Sequence, residues 1–331
     1  VTRTGNVAVI YNKDNFPMLM STPIELALND GLIVRRPIKL NLYRDYEVEA
    51  VAQAWEDNPL LELGIRLDCL MVSDSYLMTH LGRNSTRLAC GEQALFLEIM
   101  TGLVKEVAHR AMQLFPDNRP YIVGDMPDGS AANGEIALHS ADKMVNAGAD
   151  VIKLEVHSTS VVTTIERLAR EGFRVMAHLG YTPQGEGSGR VGGSLEGAHA
   201  LFASARQVRD AGAESIVLEK VDEFVHRALV DHPKALPSYA IFSGKSERGG
   251  QSLNIWDSVF KPDFRARYFP PTARDTADSF PGAYSRHIIS RRISDLFSLT
   301  AAGEFPLSPP TPLSQEDLRA LAAINPWTTE V

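Results

Sequence analysis

Two aspartates stand where chemistry is easiest to build. Asp74, in Val72-Ser73-Asp74-Ser75, and Asp125, in Val123-Gly124-Asp125-Met126-Pro127, each close a run of apolar residues of strand length. A hard divalent cation such as Mg2+ needs oxygen ligands, and two carboxylates leave its other positions to water and substrate. Glu155 ends a third such run and completes the set directly or through water. An aspartate at a strand end can also simply cap the next helix; three acids at three strand ends make the cation site the better reading. Lys153 lies two residues before Glu155, and the strand period of two puts both on one face. Buried there, Lys153 needs an anion, either a substrate carboxylate or one of the acids. His178, in Ala177-His178-Leu179-Gly180-Tyr181-Thr182-Pro183-Gln184, ends another apolar run and is a catalyst or a hydrogen-bonded core residue. Glu219 repeats the position of Glu155 with Val217 in place of the lysine, which makes it a candidate general acid or base.

The elements that position these residues alternate. Strand-length runs at 67–72, 121–123, 151–154, 175–177, 216–218 and 239–242 are separated by helical patterns, among them Ala137, Ala141, Met144, Val145 and Gly148 on one expected buried face. Ala147-Gly148-Ala149-Asp150-Val151-Ile152-Lys153-Leu154-Glu155 is echoed 64 residues later by Ala211-Gly212-Ala213-Glu214-Ser215-Ile216-Val217-Leu218-Glu219. One strand falls between the copies, so the unit is a βα pair and the sheet is parallel. Polar residues at successive strand ends converge in a closed barrel and would be strung out in an open sheet. The fold expected is therefore α/β, a (β/α)8 TIM-type barrel, with an N-terminal arm over 1–37, the barrel over 38–264 and a Pro-rich, partly helical extension over 265–331. That extension, with helical patterns near His287–Leu299 and Gln315–Ala323, is expected to pack on the barrel or on a neighbouring subunit.

Composition narrows the function. The 331 residues carry 33 basic and 41 acidic side chains, a net charge of −8, which gives no footprint for nucleic acid. A small anionic substrate must then be held by local cations. No apolar run is long enough to span a membrane. Cys69 and Cys90 have no metal-site spacing, and a cytoplasmic setting is expected. The Gly185–Ser194 stretch is too irregular for a phosphate loop and reads as a lid or a linker. No serine, thiol or zinc-protease signature occurs.

These motifs resemble the ketopantoate hydroxymethyltransferase family of the phosphoenolpyruvate mutase and isocitrate lyase superfamily, over about residues 38–264. Val72-Ser73-Asp74-Ser75 is similar to the family's V-G-D-S, and Gly82-Arg83-Asn84-Ser85-Thr86 to G-x-D-S-T. Asp125-Met126-Pro127 follows D-[ML]-P, Val151 to Glu155 follows V-x-K-[LI]-E, His178 to Gln184 is close to H-L-G-L-T-P-Q, and Val217-Leu218-Glu219 follows V-L-E. The resemblance implies a Mg2+ held by Asp74 and Asp125 with Glu155 nearby through water. It implies Ser75, Lys153 and His178 against a 2-keto acid, Glu219 as acid/base, and methylenetetrahydrofolate as one-carbon donor. Barrels of this kind are expected as homo-oligomers, with Phe297, Leu299 and Trp327 as extra apolar surface.

The departures fall on the substrate side. Val156-His157 replaces a glycine pair, Asp128 an apolar residue, and Lys220 a cysteine. Gly185–Ser194 stands where the family has G-G-Y-x-V-Q-G-R, and Ile241-Phe242-Ser243-Gly244-Lys245 replaces G-I-G-A-G, although Gly250-Gln251 resembles the D-G-Q that follows. The expected function is an aldol-type hydroxymethyl transfer on a divergent, more polar 2-keto acid. A retro-aldol lyase and a catalytically inactive barrel used as a binding subunit are the alternatives.

Overall fold

The computed structural model describes residues 24–28, 31–59, 61–185, 189–254, 285–306 and 309–328. Nine strands run β1 (Ile24–Leu28), β2 (Gly31–Leu42), β3 (Ile65–Val72), β4 (Tyr121–Asp125), β5 (Val151–Glu155), β6 (Val175–Gly180), β7 (Ser215–Glu219), β8 (Ser238–Ile241) and β9 (Gly250–Asn254). Strands β2 to β9 pair in parallel with their chain neighbours, and β2 also pairs with β9, so eight strands close into a barrel. Antiparallel to the start of β2, β1 forms a hairpin in what the sequence marks only as an arm.

Helices α1 (Asp45–Asp57), α2 (Leu61–Gly64), α3 (Tyr76–Thr79), α4 (Gln93–Leu114), α5 (Gly134–Asn146), α6 (Thr159–Arg170), α7 (Leu195–Asp210) and α8 (Glu223–Val230) alternate with the strands. The longer ones turn an apolar stripe to the barrel; α6 buries Val161, Ile165 and Leu168, worth about 1.5–3 kcal/mol apiece. On α5, Ala137, Ala141 and Met144 are buried as their spacing predicts, but Val145 is 42% exposed. Its eighth place after Ala137 has drifted roughly 80° around the helix, off the edge of the stripe. The repeated Ala-Gly-Ala segments do one job twice. Gly148 and Gly212 adopt φ of 109° and 98° and end α5 and α7 just ahead of β5 and β7.

A second apolar cluster fills the barrel itself, including Met71, Val123, Val151, Met176, Val217 and Tyr239. It forms the floor under the polar strand ends. Strand β8 stops at Ile241, one residue earlier than its apolar run suggests, because Phe242 turns to φ 54°.

In the C-terminal part, α9 (Ser285–Ala301) packs on α1 and α10 (Gln315–Ala322) on α8. Phe297 and Trp327, expected as surface for assembly, are packed inside the chain instead. The Phe297 ring meets Trp55 with centroids 4.9 Å apart, and Trp327 donates Nε1–H to the Leu229 carbonyl. Both cysteines are free, and no described helix is long and apolar enough to cross a membrane.

Candidate active site

Every sequence-selected residue lies at or just beyond the C-terminal end of a barrel strand. Asp74 and Ser75 follow β3, Asp125 ends β4, Lys153 and Glu155 lie on β5, His178 on β6, and Glu219 ends β7. Parallel pairing sets them side by side: Asp125 is in register with Lys153, and Glu155 with His178. The rim therefore alternates in sign.

Lys153 Nζ lies 2.7 Å from Asp125 Oδ1, with both side chains buried. Of the two partners open to Lys153 from the sequence, the structure shows an acid of the cluster. Asp125 Oδ2 accepts from Ser73 Oγ at 3.1 Å and from the Asp74 N–H at 3.3 Å. Ser73 in turn accepts from Ser75 Oγ at 2.9 Å, and Ser75 lies 2.7 Å from the Tyr43 hydroxyl, which accepts from Asn254 Nδ2. Since Ser75 gives its proton to Ser73, Tyr43 donates to Ser75. A chain of hydroxyls thus runs from β9 to Asp125, with every proton directed toward the carboxylate.

His178 sits between two acids. Its Nδ1 is 3.6 Å from Glu155 Oε1 and its Nε2 3.4 Å from Glu219 Oε2, ion-pair separations longer than hydrogen bonds. Burial, and then the Lys153 charge, would lower the His178 pKa; the two carboxylates outweigh them, and the net shift is upward. Burial opposes the Lys153 charge as well, yet Asp125, Glu155 and Asp74 raise its pKa. Glu219 has the most accessible side chain of the His178 triad, 15% against 4% for His178 and 2% for Glu155. Of the three it is the one most open to solvent.

Gln184 ties the two halves together. Its backbone N–H donates to Glu155 Oε2 at 2.8 Å, and its Nε2 donates to Asp74 Oδ2 at 2.8 Å and to the Met126 carbonyl at 3.1 Å. The loop that carries Gln184 is delivered by Gly180, at φ 91°, where a Cβ would lie 2.4 Å from the Glu219 carbonyl oxygen. Only glycine lets β6 leave the barrel so close to β7, and Tyr181 N–H then bonds that same oxygen at 2.8 Å.

A family model described as ketopantoate hydroxymethyltransferase matches residues 61–283, more than half of the chain. This chain belongs to the ketopantoate hydroxymethyltransferase family. It is 33% identical over 213 residues to the 3-methyl-2-oxobutanoate hydroxymethyltransferase of Ignicoccus hospitalis, covering 61% of this chain and 75% of that one. To the enzyme of the same name from Verminephrobacter eiseniae it is 36% identical over 198 residues, covering 58% and 63%. Among solved structures it is similar to 2,3-dimethylmalate lyase, a PEP mutase/isocitrate lyase superfamily member, at TM-score 0.46 and 12% identity, covering 82% and 92%.

The divalent cation expected from the sequence motifs would meet a set of buried carboxylates here. Among the described residues, no three His, Cys, Asp or Glu side chains are drawn together as a ready-made metal cage. The chemistry of the set fits a cation that keeps most of its positions for water and substrate. Asp74, Asp125 and Glu155 are all buried; Asp125 is met by Lys153 and Glu155 by His178, and Asp74 Oδ1 accepts no hydrogen bond among the described residues. Burial, and then the charges of Asp125 and Glu155, push the Asp74 carboxyl well above the usual carboxylate range. A divalent ion between Asp74 and Asp125 would remove that excess of negative charge.

Several site residues were not singled out from the sequence. Gln184 had a signal, as the last residue of the His178–Gln184 motif. Tyr43 and Asn254 had none, because they enter only when β2 closes on β9. Lys39 is fully buried on β2, its Nζ 2.7 Å from Asn41 Oδ1 and 3.3 Å from Met71 Sδ. Burial, and then the charge of Lys153, push it down to about 7. Two departures from the family pattern touch each other: Lys220, at φ 50°, places its ammonium 3.7 Å from the centre of the Tyr181 ring, where the family motif has leucine. The glycine-rich stretch Gly185–Ser194, a lid or a linker by its sequence, lies partly outside the described residues, at 186–188. Its far end is anchored by Arg190, which donates to the Val221 carbonyl at 2.7 Å.

Proposed function

We propose that this chain is a metal-dependent aldol-type enzyme that removes a proton from C3 of a 2-keto acid and transfers a hydroxymethyl unit to that carbon. Methylenetetrahydrofolate is the proposed donor, and the proposed natural keto acid is more polar than 2-ketoisovalerate. The observation that carries the reading is His178 held between Glu155 and Glu219, beside the buried pair Asp74 and Asp125.

Asp74 and Asp125 would hold the ion, with Glu155 linked to Asp74 through Gln184. A divalent ion held there would supply Lewis-acid stabilisation of the negative charge that develops on the keto acid when the neighbouring carbon loses its proton. Glu219, the accessible acid, takes that proton at a carboxylate oxygen. His178 holds its own proton on Nε2, facing Glu219, and so tunes and orients the base. Lys153 and Ser75 receive the substrate carboxylate, Lys153 through the ammonium donors that Asp125 leaves over and Ser75 by turning its hydroxyl away from Ser73. The floor of Met71, Val123, Met176 and Val217 excludes water from beneath.

Family membership supports the reaction type, and the departures at Asp128, Val156, His157, Tyr181 and Lys220 support a changed substrate. Kinetics with 2-ketoisovalerate and methylenetetrahydrofolate test the second half. Slow turnover of that pair is expected; kcat/KM near 10⁴ M⁻¹s⁻¹ or above, roughly the lower end of ordinary enzyme efficiency, would contradict it. Assembly into a homo-oligomer is part of the proposal, and sedimentation showing only a 36.3 kDa species at micromolar concentration would remove it.

A further inference from the structure

A cleft of about 190 Å³ opens beside Glu155, between the loop that follows β4 and the start of α6. Met126, Leu154 and Val161 give its lining an apolar part, Ser160 and Gln184 are polar, and so are two further side chains, Asp128 and His157. Both are departures from the family pattern.

The hydrogen bonds of these two side chains fix what they can offer. Asp128 Oδ2 accepts from the Leu88 backbone N–H at 3.0 Å, which ties down the loop after α3, while Oδ1 has no partner among the described residues. His157 Nδ1 lies 3.1 Å from the Glu155 carbonyl oxygen. A carbonyl only accepts, so Nδ1 carries a proton, and Nε2 is the ring nitrogen left for a ligand. The ring is held in place from the other side: a Cβ on Gly185 would lie 2.8 Å from His157 Cβ, so glycine is what lets that loop close on the histidine. The cleft therefore shows a ligand Asp128 Oδ1 and His157 Nε2, with the Glu155 carboxylate at its edge.

We infer that this cleft is the subsite for the substrate's side chain, and that it selects 2-keto acids whose side chain is apolar apart from a hydrogen-bond donor such as a hydroxyl. The inference rests on the proposed keto-acid chemistry and adds to it the class of side chain. A second carboxylate on the substrate meets two acids, Asp128 and Glu155, and is repelled. A methyl group in the same place leaves the Asp128 oxygen desolvated and unpaired, and a site built to bond a hydroxyl discriminates strongly against an analogue without one.

Three acids of similar length probe this at pH 8 with Mg2+: 4-hydroxy-2-ketobutanoate, its methyl isostere 2-ketopentanoate, and 2-ketoglutarate. The readouts are enzyme-catalysed deuterium exchange at C3 and, separately, calorimetric binding. The wild-type protein is expected to favour the hydroxy acid at least tenfold over each of the others. Asp128→Asn keeps a carbonyl oxygen for the Leu88 N–H but turns the other position into a donor. It should lower the preference for the hydroxy acid over 2-ketoglutarate at least tenfold, and His157→Gly should lower the preference for the hydroxy acid over 2-ketopentanoate. A wild-type preference for either other acid, or a hydroxy-to-carboxylate ratio that Asp128→Asn leaves within twofold, overturns the inference. If no acid exchanges, the enolisation reading falls by itself and the binding ratios decide the subsite. If none of the three binds, the subsite falls too.

Discussion

Asp125 and Lys153 are register partners on adjacent strands, and their side chains meet inside the barrel mouth with Nζ 2.7 Å from Oδ1. One strand further round, Glu155 and His178 repeat the relationship. Lateral pairing of opposite charges holds the rim in a shape that strand geometry alone would leave open. It leaves Asp74 as the buried acid without a cation of its own, and this asymmetry separates two substitutions.

Asp125→Ala and Asp74→Asn should both abolish Mg2+ binding in calorimetry, with opposite effects on the metal-free fold. Removing Asp125 strands the Lys153 ammonium, at a cost of about 3–5 kcal/mol. Removing the Asp74 charge relieves repulsion from Asp125 and Glu155, while the amide oxygen still accepts from Gln184, and the metal-free protein should gain roughly 1 kcal/mol. Denaturant melts in EDTA check both signs. Normal Mg2+ affinity in either variant would show that the site is misplaced.

Lys220 and Tyr181 should prove to be a coupled pair. A cation over an aromatic face at a partly exposed site contributes about 0.5–1 kcal/mol. In a double-mutant cycle, Tyr181→Leu and Lys220→Cys should show a coupling energy of that size. Strictly additive effects would mean that the contact contributes nothing and that the two departures arose independently.

Acid should weaken the fold through His226. The ring is fully buried, and its Nδ1–H donates to the Ser243 carbonyl. Burial, with a smaller contribution from the Arg227 charge, lowers its pKa from 6.5 to about 4. Above 6.5 the ring is neutral in both folded and unfolded chains, and this stability is fully present. As pH falls from 6.5 toward 4 the unfolded chain takes up a proton that the folded chain refuses, and up to about 3 kcal/mol is lost. His226→Gln should flatten that part of the stability profile. An unchanged slope would place the acid lability elsewhere.

Much of the barrel was legible because its signals are local. Apolar runs, the glycines ending α5 and α7, and the repeat joining β5 to β7 each lie within about ten residues of chain. The polar strand ends were legible for the same reason, since period two settles which residues share a face with Lys153 and Glu155. Contacts made by closure were not. Tyr43 reaches Asn254 and Lys39 reaches Met71 only because β2 meets both β3 and β9, and nothing in their local sequence marks them as interior. Phe297 and Trp327 were misread because apolar residues in a Pro-rich tail look alike whether they cover their own barrel or another chain.

The central claim is enolisation of a 2-keto acid by Glu219 at this barrel mouth. Its most direct measurement is loss of the C3 proton signal in D2O, by NMR, with 2-ketoisovalerate and 4-hydroxy-2-ketobutanoate. We expect Mg2+-dependent exchange in at least one of them, abolished by EDTA and slowed about 100-fold or more in Glu219→Gln, the usual contribution of a general base. Exchange no faster than in buffer with every keto acid tried, or exchange that Glu219→Gln leaves unchanged, would contradict it.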